Sequence, residues 1–138
     1  MKNLLIFALL ALSANSKAAY REAECMAQAM FAEARGQGQQ GILAVAHVVK
    51  TRMRIEQKSS CSVTRKGQFV RARLPARLRG MYLQTALDVL LDKTIDPTNG
   101  ATHFFRRGSK TPFWYDESRS LIIGDHVFVN VAAYATNQ

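Results

Sequence analysis

The stretch "CMAQAMFAEARGQG" (residues 25–38) places a carboxyl group where a helix should be apolar. On a wheel of about 100° per residue, Ala23, Met26, Ala29 and Met30 share one face, and Glu33 falls within about 20° of Met26. Glu24, Gln28 and Arg35 occupy the opposite face. The helix therefore has a charged side, and Glu33 is not on it. A carboxylate desolvated in this way has its pKa raised. It stays protonated nearer neutrality and can donate a proton. One chemistry that needs such a group is cleavage of a glycosidic bond, where an acid protonates the leaving oxygen. The alternative is a structural glutamate that accepts hydrogen bonds from the glycine-rich turn, pairs with an arginine or reaches water at a frayed helix end.

The elements that must position Glu33 follow from periodicity. A helix is expected over residues 21–35, ended by "GQG", whose glycines tolerate positive φ. A second helix over residues 39–54 carries Ile42, Val45, Ala46, Val49 and Met53 at helical spacing, with His47 on its polar face. The basic stretch "TRKGQFVRARLPARLRG" is broken by Gly67 and Pro75 and reads as a loop with a short helix. A third helix over residues 81–93 turns Tyr82, Leu83, Ala86, Val89 and Leu90 inward. "DPTNGATHFF" is turn chemistry leading into a strand-like run, and "LIIGDHVFVNVA" reads as two short strands around Gly124, with His126, Phe128 and Asn130 alternating against Val127 and Val129. The fold class is α+β, mainly helical, with a small β lobe at the C-terminal end.

At 138 residues and 48% hydrophobic content the chain suits one globular domain. Its first residues read as a leader: Lys2, an apolar run from Leu4 to Leu12, then the small-x-small "SKA" with cleavage expected after Ala18. Residues 1–18 are thus a signal peptide or an N-terminal anchor in transient membrane contact, and 19–138 the working domain. A buried core helix is the competing reading of the leader. Two cysteines, Cys25 and Cys61, fit export. A bridge between them would stabilise by roughly 3–4 kcal/mol on the chain-entropy model; two free buried thiols are the alternative. The formal charge of +9 favours an anionic partner. Without Lys2 and Lys17, 17 basic residues face 10 acidic ones, a balance of +7. An exported protein rarely meets nucleic acid, so an anionic polymer of the periplasm or the extracellular space is expected, and bacterial cell wall is one candidate. No cofactor and no metal site are expected: the cysteines have no partner at ligand spacing, and His47, His103 and His126 are scattered without an HExxH pattern. His103 and His126 sit in strand-like runs that could bring them together.

"CMAQAMFAEARGQGQQGILAVAHVVKTRM" resembles the opening of the cell wall hydrolase family that includes the spore cortex-lytic enzymes of bacilli. "GQF" (residues 67–69), "DPTNGATHFF" and "IGDHVFV" (residues 123–129) match further family segments in the same order. The resemblance implies a lysozyme-like domain that cleaves peptidoglycan between N-acetylmuramic acid and N-acetylglucosamine by lytic transglycosylation. It assigns Glu33, the glutamate of "EAR", as the catalytic acid. The sequence departs from the family at Gln37, where an acid often follows "ARG", and at Arg106 and Val129, where tyrosine is common. Tyr115 would then be the source of any tyrosine hydroxyl in the site.

A transglycosylase needs one carboxyl group, whereas a hydrolytic muramidase needs a second at about 5–5.5 Å or 6.5–9.5 Å. Asp116, Glu117 and Asp125 are the acids that could approach the cleft. Gln68 suits an acetamido group. Phe69 suits a sugar face or the core. Trp114 and Tyr115 suit sugar stacking or packing over the sheet. Thr98 and Asn99 suit the cleft or a plain turn. The arginines between Arg65 and Arg79 form either a contact for anionic stem peptides or a solvated face. The expected protein is a monomer that acts on peptidoglycan, as a phage endolysin or a wall-remodelling enzyme. A non-catalytic wall-binding or inhibitor protein is the reading from another class.

Overall fold

The computed structural model of the chain describes residues 2–65, 69–134 and 136, with backbone alone for residues 2–14. Four helices precede a small sheet: α1 (Lys2–Ala34), α2 (Gly38–Glu56), α3 (Ser60–Val63) and α4 (Ala76–Leu90), then β1 (His103–Arg106), β2 (Ser120–Ile123) and β3 (His126–Val129). This is the mainly helical α+β arrangement expected.

α1 differs from expectation in starting at Lys2 and running without a break through the leader. It ends where expected, because Gly36 and Gly38 adopt φ of 82° and 75°. α2 is the centre of the molecule. Its apolar stripe packs on α1, and residues beyond that stripe are covered as well, because α3 and α4 also lie against it. This overturns the surface position expected for His47. The residue is 6% exposed and its Nε2 lies 2.9 Å from the Thr94 hydroxyl. A wheel drawn for a helix with one partner underestimates the burial of a helix with several.

α3 forms between α2 and the basic stretch, capped by the Ser59 hydroxyl, which accepts from the Ser62 amide at 3.1 Å. α4 begins five residues earlier than expected, directly after Pro75, and runs through Gly80, which is exposed and touches nothing that would exclude a side chain. It presents Tyr82, Ala86 and Val89 to the core, with Leu83, Leu87 and Leu90 half-buried beside them. The core is filled by Met26 and Met30 of α1, Val45, Val48 and Val49 of α2, Val89 of α4 and Phe128 of β3. Each such side chain contributes about 1.5–3 kcal/mol by leaving water.

The sheet is antiparallel with order β1-β3-β2. Phe104, Phe128 and Leu121 stand in one row across it, and this face closes the helical core. Phe105, Val127 and Ile122 form the next row on the other face. That outer face is covered at β1 by Trp114 and Tyr134 against His103 and by Trp114 and Tyr115 against Phe105. β3 alternates as expected, with Phe128 on the core face and Val127 on the outer one, and all four of its residues are buried, as befits a central strand covered on both sides. His103 and His126 do not meet. His103 lies opposite Val129, while His126 lies opposite Arg106 at the other end of the strand.

Cys25 and Cys61 are joined, tying α1 to α3.

Candidate active site

Glu33 stands on the last turn of α1, where the helix face that buries Met26 and Met30 comes to its end. It is half-buried. The segment of residues 69–75 is strapped along α1 in the opposite direction. Val70 N–H donates to Glu33 Oε1 at 2.6 Å, and Ala72 N–H donates to the Gln28 carbonyl at 3.3 Å. Arg71 Nη1 lies 3.0 Å from Cys25 Sγ. Burial pushes the Glu33 carboxyl above its ordinary range, and the Val70 amide, which favours the ionised form, pulls it part of the way back. The two effects divide the carboxyl. Oε1 is occupied as an acceptor, so a proton held by Glu33 resides on Oε2. A half-exposed acid with a fixed acceptor oxygen and a raised pKa is suited to delivering that proton to a bound leaving group.

A second segment reaches the same corner. Gln37 follows the glycine turn, its amide donating to the Ala34 carbonyl at 3.0 Å. Its side chain crosses to the β2–β3 turn, where Oε1 accepts from Asp125 N–H at 2.8 Å and Nε2 donates to Asp125 Oδ2 at 3.2 Å. Asp125 is thus the acid, of the three considered, that touches the corner carrying Glu33. Asp116 instead caps a short 3-10 turn, accepting from Ser118 N–H and Oγ at 3.0 and 2.7 Å, and Glu117 is exposed within that turn. No hydrogen bond joins Glu33 to another carboxylate among the described residues.

The other residues singled out from the sequence are dispersed. Gln68 lies outside the described residues. Phe69 is 6% exposed, its ring 5.7 Å from Phe104 and 5.0 Å from the Arg52 guanidinium. Thr98 is buried and its hydroxyl donates to Asp96 Oδ1 at 2.6 Å; Asn99 has φ 55°. Together with the Gly100 amide on Asp96 Oδ2 at 2.9 Å, they form a side-chain-stapled turn. Trp114 and Tyr115 pack on the outer face of the sheet, Tyr115 more exposed than Trp114. Of the arginines between 65 and 79, Arg71 and Arg79 are engaged with α1, Arg79 through Tyr20 and Glu24, while Arg73 and Arg77 face solvent.

Arg52 carried no functional expectation but is buried, with Nε donating to the Thr102 carbonyl at 2.6 Å and its guanidinium 5.3 Å from the ring centre of Tyr134. Tyr134 hydrogen-bonds Glu56 and its hydroxyl pKa is pushed up to about 12, chiefly by burial. His103 is pushed down to about 4 by burial and by the nearby Arg52 charge. Both are neutral at physiological pH. Among the described residues, no group of three or more His, Cys, Asp or Glu side chains could hold a metal ion.

Residues 36–129, more than half of the chain, match the family described as cell wall hydrolases. The chain belongs to that family. Neither a curated protein nor a solved structure matches it significantly. The matched region of this cell wall hydrolase begins just after Glu33 and takes in Gln37, the strap, the sheet and Asp125. A cell wall hydrolase acts on peptidoglycan, and the excess of basic residues complements that polymer. The bridge between Cys25 and Cys61 fits an exported protein, and no helix among the described residues is long and apolar enough to cross a membrane.

Proposed function

We propose that this cell wall hydrolase cleaves glycan strands between N-acetylmuramic acid and N-acetylglucosamine by lytic transglycosylation, with Glu33 as the acid and then the base. The observation that carries the reading is the environment of Glu33: a half-buried carboxyl of raised pKa, with Oε1 held by the Val70 amide. Oε2–H protonates the glycosidic oxygen as the bond to C1 breaks. The resulting carboxylate takes the proton of the muramyl 6-hydroxyl, whose oxygen attacks C1 and closes a 1,6-anhydro ring. The carboxyl ends protonated, as it began, and no water is consumed. One carboxyl group suffices for this sequence.

Residues 1–18 serve as signal peptide or anchor and 19–138 act as a monomer in the periplasm or outside the cell. Gln68, Asn99, Trp114 and Tyr115 are the sugar contacts in this reading. Phe69 and Thr98 are buried, which favours packing roles for both.

The test is mass spectrometry of muropeptides released from purified sacculi by the wild-type chain and by Glu33→Gln. Anhydro-muramic ends that fall at least about 100-fold in the variant are expected, since general acid catalysis alone contributes about 10²–10⁴. Reducing muramic ends would mean that water is the acceptor and would turn the assignment to a hydrolytic muramidase, with Asp125 the first candidate for its second carboxylate. Release of no sugar product by a folded wild type would sink the glycosidase reading.

A further inference from the structure

We infer that Gln37 and Asp125 form a latch that fixes the β2–β3 hairpin tip against the corner bearing Glu33, and that both act as positioning residues for the cleavage. The inference rests on the reading of Glu33 as the acid. Gln37 occupies the N-cap of α2, yet its side chain makes no capping bond there. Both ends of its amide are committed instead to one residue of the β lobe, at 2.8 Å from the Asp125 backbone N–H and 3.2 Å from the Asp125 carboxylate. The surroundings are cut to fit this one side chain. A Cβ at Gly124 would stand 2.6 Å from Gln37 Oε1, and one at Gly41 would stand 2.5 Å from Gln37 Cβ. Two glycines on separate elements thus leave room for the same glutamine, and Gly124 also supplies the φ of 58° that the turn requires.

The hairpin tip is held from its other side by Arg107, whose N–H donates to the Asp125 carbonyl at 2.8 Å and whose Nη1 donates to the Gly124 carbonyl at 3.4 Å. The tip is therefore anchored to β1 within the sheet and to the helical lobe through Gln37. Glu33 precedes Gln37 by one tight turn and is itself bonded to the strap at Val70. A sugar presented to Glu33 is located by the segments that meet at this corner. Loss of the latch lets one of them drift, and a displacement on the order of 1 Å costs up to about 100-fold in rate.

The latch also specifies a swap. In Gln37→Glu, two carboxylates face each other across 3.2 Å in the wild-type geometry and the amide donor is gone. In Gln37→Glu with Asp125→Asn, the carboxylate introduced at position 37 accepts from the backbone amide of position 125 and from the new side-chain amide there, so the pair is rebuilt with donor and acceptor exchanged. The experiment measures kcat and KM for muropeptide release by the wild type, both single variants and the double variant, at a temperature where circular dichroism shows all four folded. Hydrogen exchange of the Asp125 amide is followed in parallel, in the wild type and in Gln37→Ala.

Gln37→Glu is expected to lower kcat about tenfold with a smaller change in KM, and the double variant to recover to within about threefold of wild type. The Asp125 amide is expected to be protected in the wild type and exposed in Gln37→Ala. A double variant no better than Gln37→Glu, or an Asp125 amide whose exchange ignores position 37, would overturn the latch. A wild type that releases no product while its Asp125 amide stays protected through Gln37 would instead remove the Glu33 reading, and with it the positioning role, leaving the contact as a purely structural one.

Discussion

Removal of the Cys25–Cys61 bridge is the perturbation whose magnitude the structure fixes best. The bridged residues are separated by 36 positions. On the chain-entropy relation, closing a loop of that size in the unfolded chain stabilises the fold by roughly 4 kcal/mol at 25 °C. The two Cα atoms stand 5.0 Å apart, inside the ordinary span for a disulfide, so backbone distortion does not offset that gain. For a chain of this size the loss corresponds to a fall in Tm on the order of 15 °C. The bridge is 7–8% exposed and ties α1 to α3, so its alanine replacement also leaves a small void, which acts in the same direction. The assay is thermal unfolding by circular dichroism of the wild type and of Cys25→Ala/Cys61→Ala, each with and without reductant. Reductant should bring the wild type down toward the variant and leave the variant unmoved. Muropeptide release well below both transitions should persist, because the strap keeps its Val70 and Ala72 bonds to α1 when the Arg71 contact to Cys25 Sγ is lost. A wild type whose Tm ignores reductant after both thiols have become titratable, or a double variant within about 3 °C of wild type, would refute the reasoning.

Two other expectations concern the core and the acid. Phe128→Ala empties a fully buried position between the sheet and the helices and should cost about 3–5 kcal/mol, measured by urea unfolding with an unchanged m-value. Glu33 has its folded-state pKa raised, so the fold favours the neutral carboxyl: that contribution is complete below the ordinary carboxylate pKa and is lost as pH rises through the raised one. Glu33→Gln should therefore raise Tm relative to wild type at neutral pH and lose that advantage in acid; a difference that is constant from acid to neutral pH would contradict the burial argument.

Much of the helical framework is legible because it follows from period and punctuation. The end of α1 at "GQG" and the apolar stripe of α2 are local signals, and the structure keeps them. The start of α4 is hidden because Gly80 and Pro75 read as breakers, although a proline preceding a helix and an exposed glycine within one are both tolerated. The burial of His47 is hidden because the number of helices around α2 is a tertiary fact. Glu33 stands out by its position on the wheel, but its hydrogen-bond partner has no signature at all. The latch is half visible: Gln37 attracts notice as a departure from the family pattern and Asp125 as an acid near the cleft, yet nothing in the sequence joins positions 88 residues apart.

The Val70 contact has an evolutionary side. The donor to Glu33 is a main-chain group, and the residue that carries it is 63% exposed. Any residue except proline supplies the same N–H. The chain can thus drift freely in its lettering at position 70 while the atom that matters stays in place. Such a position places almost no demand on the side chain it carries, although it borders the carboxyl proposed as the acid. It is also a natural attachment point for a fluorophore, one that would sit beside the proposed acid without altering its carboxyl group.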